Sequence, residues 1–359
     1  MPAPSMTSLS TRLAVPTQVW VCRACGHSQS ADLPDVKTFY DSEYRISLQS
    51  EDHDQLYEIG PDGPIFRTER QTALLLELNL KSGARVLDFG AAKAVTLRRF
   101  FAARPDIQPF VFDVSEDYRS FWSDWIPLAS QATYQMPEEW SGTFDLITAH
   151  FVLEHVPNPV DVLKNIAGFL SPEGLLFITV PDPIGNPGDL LVVDHLNHFV
   201  PSSIQTAMHL AGLRPILISS DKFRGAFVIV ARLGESSNQT FESDPQSILE
   251  ILQSWKSILS NLRDELDRPE NKTARIAIYG AGFYGALFAP LVGDRLVAFI
   301  DMNPNLQGSE MEGRPVLAPS NFPSVDLVIA ALNPARARKL LPANPPWLKG
   351  PAKVYYPGG

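Results

Sequence analysis

The sequence predicts an α/β protein built on doubly wound parallel sheets. From Arg85 onward, short apolar strands alternate with helical stretches, and after a polar interruption the alternation restarts at Ala274. The chain has 359 residues, more than one ordinary domain, so the two runs read as two domains. The expected division is an irregular N-terminal segment over 1–60, a first α/β domain over 61–233, a linker and helix over 234–273, and a smaller Rossmann-like domain over 274–359.

In chain order, 19–21 is strand-like and is followed by Cys22 and Cys25 and then by polar turns. A run of good helix formers from Thr72 to Leu78 predicts a helix, and Gly83 stands where a left-handed cap would end it. Apolar strands follow at 86–89, 109–113, 144–149 and 175–180, with 227–231 expected as a late edge strand. Residues 233–245 are polar enough for a linker. Beyond them Ile248, Leu252, Trp255, Leu259, Leu262 and Leu266 repeat at spacings of 4 and 3, which predicts a helix with one apolar seam. That seam packs on a neighbouring domain of the same chain or joins two chains, so monomer and homodimer both stay open. Strands at 275–279, 296–301 and 326–331 build the last domain.

Composition narrows the function. Hydrophobic residues make up 45% and charged residues 19%, ample for folded cores. The formal charge of -10 argues against a nucleic-acid partner, because phosphate-gripping domains carry basic faces. No apolar run approaches the ~18 residues needed to span a bilayer. Residues 1–15 hold one Arg and no apolar core of a secretion signal. Two Cys three residues apart make no disulfide framework. The expectation is a cytoplasmic soluble enzyme.

Chemistry is concentrated at three places. In Val86-Leu-Asp88-Phe-Gly90-Ala-Ala-Lys-Ala94, a carboxylate ends the first strand and a Gly turn leads into a helix, while Asp113 ends the next strand 25 residues later. An acidic residue there can accept both hydroxyls of a ribose. The loop is not G-x-G-x-x-G, so a nucleoside without a pyrophosphate fits it better. The second place is Asp145 to Pro159, containing His150 and Leu153-Glu154-His155, followed by Leu170-Ser-Pro-Glu-Gly174. The third is Val193-Asp194-His195-Leu-Asn-His198-Phe199, where an imidazole beside a carboxylate suits proton abstraction.

Over residues 70–232 these motifs resemble the class I S-adenosylmethionine (SAM) methyltransferases. The resemblance implies SAM as cofactor, with Asp88 and Gly90 beside its methionine and ribose portion, Asp113 on the ribose hydroxyls, and His150 also lining the cofactor site. Ala92 and Ala94 stand where the family usually has glycine, which would narrow the loop.

The flanks resemble the sugar-nucleotide C-methyltransferases, which join a zinc-binding segment, a SAM domain and a Rossmann-like domain. The tail carries Gly280, Gly282 and Gly285 after a strand and Asp301 at the end of the next, with Gln307, Gly308 and Gly313 beyond. By that likeness the tail helps hold the nucleotide end of the acceptor. His195 would be the base that removes a proton beside a carbonyl, with Asp194 orienting it, His155 would lie in the active site, and Tyr40 and Tyr44 would belong to a lid. Cys22 and Cys25 look like one zinc knuckle, to which His27 or His53 could add a ligand. The earlier Cys pair of the family has no counterpart, since the chain has two Cys in all, so a metal-free relic of the knuckle is expected. O- or N-methylation of another small molecule is the alternative reaction, and a non-catalytic nucleotide-binding protein is the alternative of a different class.

Overall fold

The computed structural model describes residues 5–13, 17–31, 54–234, 245–348 and 350–359. Tyr40, Tyr44 and His53 lie outside the described residues. The chain forms two compact units, one of Gln18–Gly185 with Asp194–Pro245 and the other of Met1–Thr17, Asn186–Val193 and Gln246–Gly359.

The first unit is built on a seven-stranded sheet. Its strands are β1 (Arg85–Phe89), β2 (Gln108–Asp113), β3 (Gln131–Thr133), β4 (Phe144–His150), β5 (Leu170–Pro181), β6 (Leu213–Phe223) and β7 (Ala226–Leu233). They lie side by side in the order β6-β7-β5-β4-β1-β2-β3. The first five are parallel, while β7 runs antiparallel to both β5 and β6. The order reverses at β1, so the C-terminal edges of β1 and β4 bound the crevice where ligands of such sheets bind. Helices α1 (Arg67–Leu76), α2 (Val95–Ala103), α3 (Pro159–Phe169) and α4 (Pro201–Leu210) accompany the sheet. Two apolar clusters form the core, one around Leu87, Phe144, Leu163 and Ile178, the other around Leu74, Val86, Phe100, Leu146 and Val228.

Two local expectations are corrected. Gly83 does not cap the helix: α1 already ends at Leu76, and Gly83, at φ 74°, shapes the turn into β1. The apolar run at 227–231 is not an edge strand. It lies inside β7, with six consecutive buried residues, because β6 covers its outer side. Half-buried and interrupted by polar residues, β6 hid from the sequence reading.

The second unit has a six-stranded sheet. Four of its strands are β8 (Ile276–Tyr279), β9 (Leu296–Ile300), β10 (Arg314–Leu317) and β11 (Leu327–Ala330). An antiparallel edge strand, Glu310–Met311, pairs with β10, and β12 (Lys353–Tyr355) pairs with β11. Helix α5 (Pro245–Leu266) turns Trp255, Ile258, Leu262 and Leu266 into the same core as Ile276, Phe288 and Phe299. The apolar seam of the 234–273 segment thus serves the core of this unit. Residues 5–13 also belong here, because Met6 is buried in that core and Arg12 donates to the Ala286 carbonyl of α6 (Phe283–Val292) at 2.8 Å. Asn186–Val193 joins through Trp255, whose indole donates to the Pro187 carbonyl at 2.9 Å. The division by contacts therefore cuts across the N-terminal segment at 1–60 and takes eight residues out of the middle of 61–233.

Candidate active site

At the C-terminal edge of β1 the loop is shaped by close backbone approach. Gly90 has φ 73°, and a Cβ there would meet Val152 Cγ2 at 2.6 Å, so the loop after β1 lies directly against the loop after β4. Ala92 and Ala94 have φ 45° and 53°, in the left-handed region. The loop therefore keeps the glycine-type backbone conformation, at a strain of roughly 1–2 kcal/mol per alanine. Asp113 fixes it: Oδ2 accepts the Ala92 N–H at 2.8 Å and Oδ1 the Ser115 N–H at 3.0 Å. Each oxygen keeps a lone pair for a further donor. Burial raises the Asp113 pKa, and the backbone N–H groups of Ala92 and Ser115 oppose the rise.

Asp88 is buried beside it and accepts from Thr148 Oγ1 of β4 at 2.7 Å. Burial pushes its carboxyl up to about 7; the Thr148 bond works against that, and the Asp113 charge adds to it. His150, at the end of β4, has Nδ1 3.2 Å from Thr179 Oγ1 of β5, while its buried Nε2 has no hydrogen-bond partner among the described residues. Burial, with Arg67 adding, pushes this imidazole down to about 3, so it is neutral. Phe151 follows at φ 57°, strained for an aromatic residue, with the Arg67 guanidinium 3.7 Å from its ring centroid. An orphaned ring nitrogen, lone pairs on Asp113 and a glycine at the closest approach suit a nucleoside-bearing cofactor.

The second constellation follows β4 and β5. Asp194 and Glu154 are fully buried, His195 is 9% exposed, and the ligand atoms of Glu154, His155 and His195 lie within 4.8 Å of one another. The His155 and His195 rings meet edge to face at 4.8 Å between centroids. His155 Nδ1 lies 3.0 Å from the Asp194 carbonyl oxygen and 3.7 Å from its carboxylate. A carbonyl only accepts, so Nδ1 carries a hydrogen, and in the neutral ring Nε2 holds the lone pair. Asp194 thus orients His155 through its backbone carbonyl. His198 is buried with Nε2 2.9 Å from Ser30 Oγ.

Near the N-terminus, Val19–Val21 and Ser28–Ser30 pair antiparallel, and Asn197–His198 adds a third strand. Cys22 and Cys25 sit in the intervening turn, closed by Gly26 N–H on the Cys22 carbonyl at 2.9 Å. Backbone N–H groups of Cys25 and Ala24 lower the Cys22 thiol pKa, and burial raises that of Cys25. The hairpin has the form of a knuckle, but its residues do not fit a zinc ion. His27 Nε2 is committed to Asn197 Oδ1 at 3.1 Å, and among the described residues no cluster of three or more metal-ligating side chains includes either Cys.

In the second unit Asp301 Oδ2 accepts the Ala281 N–H at 2.7 Å and Oδ1 the Asn303 N–H at 2.7 Å. Gly280 has φ 108°, and a Cβ on Gly285 would meet the Gly280 carbonyl oxygen at 2.2 Å. The spacing noted in the sequence is therefore a working turn.

Residues 66–218 match the family model described as a methyltransferase domain. The chain contains a class I methyltransferase domain. Such domains use SAM. The ubiquinone biosynthesis O-methyltransferase of Xanthomonas campestris pv. campestris (strain B100) is 29% identical over 102 residues, 27% of this chain and 43% of that protein. Its counterpart from Xanthomonas axonopodis pv. citri (strain 306) is 29% identical over 126 residues, 33% of this chain and 53% of that protein. The chain thus spans about half the length of the curated relatives it matches. Among solved structures, a SAM-dependent methyltransferase from Aquifex aeolicus is 19% identical, covering 45% of this chain and 88% of that one at a TM-score of 0.36. The mitomycin 7-O-methyltransferase MmcR is 16% identical, covering 46% and 53% at a TM-score of 0.38. Among the described residues no helix is long and apolar enough to cross a membrane.

Thr148, Phe151, Val152, Thr179 and Asn197 also shape the site, and sequence reasoning missed them. Asn197 alone offered a signal, since it stands between two histidines that the motif had singled out.

Proposed function

We propose that the protein transfers a methyl group from SAM to a small-molecule acceptor whose proton is removed at the His155–His195 pair. The observation that carries this reading is the contact of Asp194 with His155 Nδ1, which leaves Nε2 as a base beside a loop packed on Gly90. We further propose that the acceptor is a nucleotide-linked keto sugar methylated at carbon. The knuckle-shaped hairpin and the Rossmann-like second unit support it, since both flank the methyltransferase domain as in the resembled family. Asp88, Gly90, Asp113 and His150 would hold the cofactor, which supplies an electrophilic methyl on a sulfonium. His155 Nε2 would take the proton beside the carbonyl, and the electron pair left behind forms an enolate whose carbon accepts the methyl. His195, edge-on to His155, would steady the charged imidazole and face the acceptor. Tyr44 remains a proposed lid residue.

His155→Asn should leave SAM affinity near wild type and lower turnover by about 10²–10⁴-fold, the range of a lost general base. Full turnover in that variant, with His195→Asn inactive, would move the base to His195. In D₂O with a nucleoside-diphosphate keto sugar, the wild type should exchange the hydrogen beside the carbonyl. O-methylation is the second reading, favoured by the ubiquinone biosynthesis O-methyltransferases among the relatives. A product whose new methyl is bonded to oxygen by NMR would establish it in place of C-methylation.

A further inference from the structure

We infer that Asn197 is a positioning residue that sutures the loop carrying His155 to the loop carrying His195, and that His27 of the N-terminal hairpin locks Asn197 in place. The inference rests on the reading of the two histidines as acceptor-side groups. Asn197 is 1% exposed, and its backbone N–H and both ends of its side-chain amide have partners. Its backbone N–H donates to the Glu154 carbonyl at 3.0 Å. Its Nδ2 donates to the Leu153 carbonyl at 3.2 Å and to the Val156 carbonyl at 2.6 Å. Three anchor points, on residues 153, 154 and 156, therefore bracket His155, while His195 stands two residues before the anchor. Two carbonyls facing Nδ2 fix which way the amide points, so Oδ1 faces His27 and His27 Nε2 must donate to it.

The hairpin is tied down around this bond. Ser30 N–H donates to the Leu196 carbonyl at 3.1 Å, and Ser202 Oγ donates to the Cys25 carbonyl at 2.7 Å. The His27 ring also lies 5.2 Å from that of Phe199. A knuckle whose residues do not fit a metal thus has a use: it is the rigid frame that presents His27. A buried amide with every group satisfied defines one geometry, because any displacement leaves polar groups unpaired.

The test uses the full chain with ¹⁵N-labelled histidine, whose seven side chains give few enough ring signals to assign by substitution. His27→Leu should shift the ring nitrogens of His155 and His195 and leave that of His209 in place, with S-adenosylhomocysteine affinity near wild type. Turnover in the keto-sugar exchange should fall about 10- to 100-fold, the scale of a small misplacement of a reacting group. His27→Gln, which keeps a donor, should restore both signals and turnover. Asn197→Asp, of equal size but turning a carboxylate oxygen toward two carbonyls, should shift the same two histidines. A folded His27→Leu variant with unmoved His155 and His195 signals overturns the inference, as does His27→Gln behaving like His27→Leu. Should His155→Asn retain full turnover, the base assignment fails while the ring signals still decide the clamp.

Discussion

At the end of β2, Asp113 accepts N–H groups from Ala92 of the preceding loop and from Ser115 two residues on; at the end of β9, Asp301 does the same with Ala281 and Asn303. The two units close their strand–loop–helix turns with one device. They differ in what the first strand carries. Two residues before the turn glycine, β1 has Asp88, buried and bonded to Thr148, where β8 has Ile278, buried and apolar. Beyond its turn the first unit gathers His150, Glu154, His155, Asp194 and His195, whereas the second places Ala and Ile on the strands beside β8. The acidic residue at the second strand is thus a way of closing a loop in either setting. A buried carboxylate on the first strand and an imidazole ending the fourth distinguish the first unit.

The largest effect that can break this comparison is steric. Gly285→Ala would place a Cβ 2.2 Å from the Gly280 carbonyl oxygen, which is backbone and cannot swing aside. A loss of roughly 2–4 kcal/mol is expected, as for severe overpacking. Hydrogen exchange should localise it to β8 and α6, with SAM affinity kept. Unchanged protection would mean that the turn has slack and that the resemblance of the two loops is superficial.

Asp113→Ala and Asp301→Ala sharpen it next. Each removes a loop anchor, but Asp113→Ala should also weaken SAM binding by roughly 1.5–3 kcal/mol, the cost of lost hydrogen bonds to a charged acceptor. Asp301→Ala should leave calorimetric SAM affinity near wild type. Equal losses would dissolve the distinction between the units.

Asp88 predicts a pH effect confined to the first unit. Its carboxyl is raised from 3.8 to about 7 in the folded chain. Below the unfolded value both states hold the proton and nothing is lost; as pH rises toward 7 the unfolded state releases it first, so stability declines, then levels off. Asp88→Asn can still accept from Thr148 and should match wild type near pH 4 but exceed it above 7, by about 2 kcal/mol once the shift is discounted for relaxation. Parallel urea titrations at both pH values, with no gap between the proteins at the higher one, would remove the buried-charge argument.

The strands of both sheets were legible where they were continuously apolar, as at 86–89, 144–149 and 275–279. The polar, half-buried β6 and the short β3 were not, because neither shows a period. Asp88, Gly90 and Asp113 were legible because a βαβ turn fixes their spacing locally. The contact of Asp194 with His155 was not, because the carbonyl that Asp194 presents there depends on two loops meeting 39 residues apart. Likewise nothing in the first 17 residues announced that Met6 belongs to a core completed by α5.

The smallest expected effect concerns the two alanines that take the place of glycine. At φ 45° and 53° each carries a strain of roughly 1–2 kcal/mol that glycine would relieve. Glycine in turn loosens the unfolded chain at a cost of roughly 0.5–1 kcal/mol. The methyl groups then decide the sign. Ala94 is 1% exposed and packs in the core with Leu97 and Trp122, so deleting its methyl forfeits about 0.8 kcal/mol and cancels the relief. Ala92 is only partly buried and forfeits about half of that. Ala92→Gly should therefore stabilise the chain by about 0.5 kcal/mol while Ala94→Gly is near neutral. In the second unit Gly282, with open space around its missing Cβ and an extended φ of -119°, should accept alanine without strain. Denaturant midpoints for the three variants test the assignment together, and a destabilised Ala92→Gly would show that its left-handed turn is not under strain.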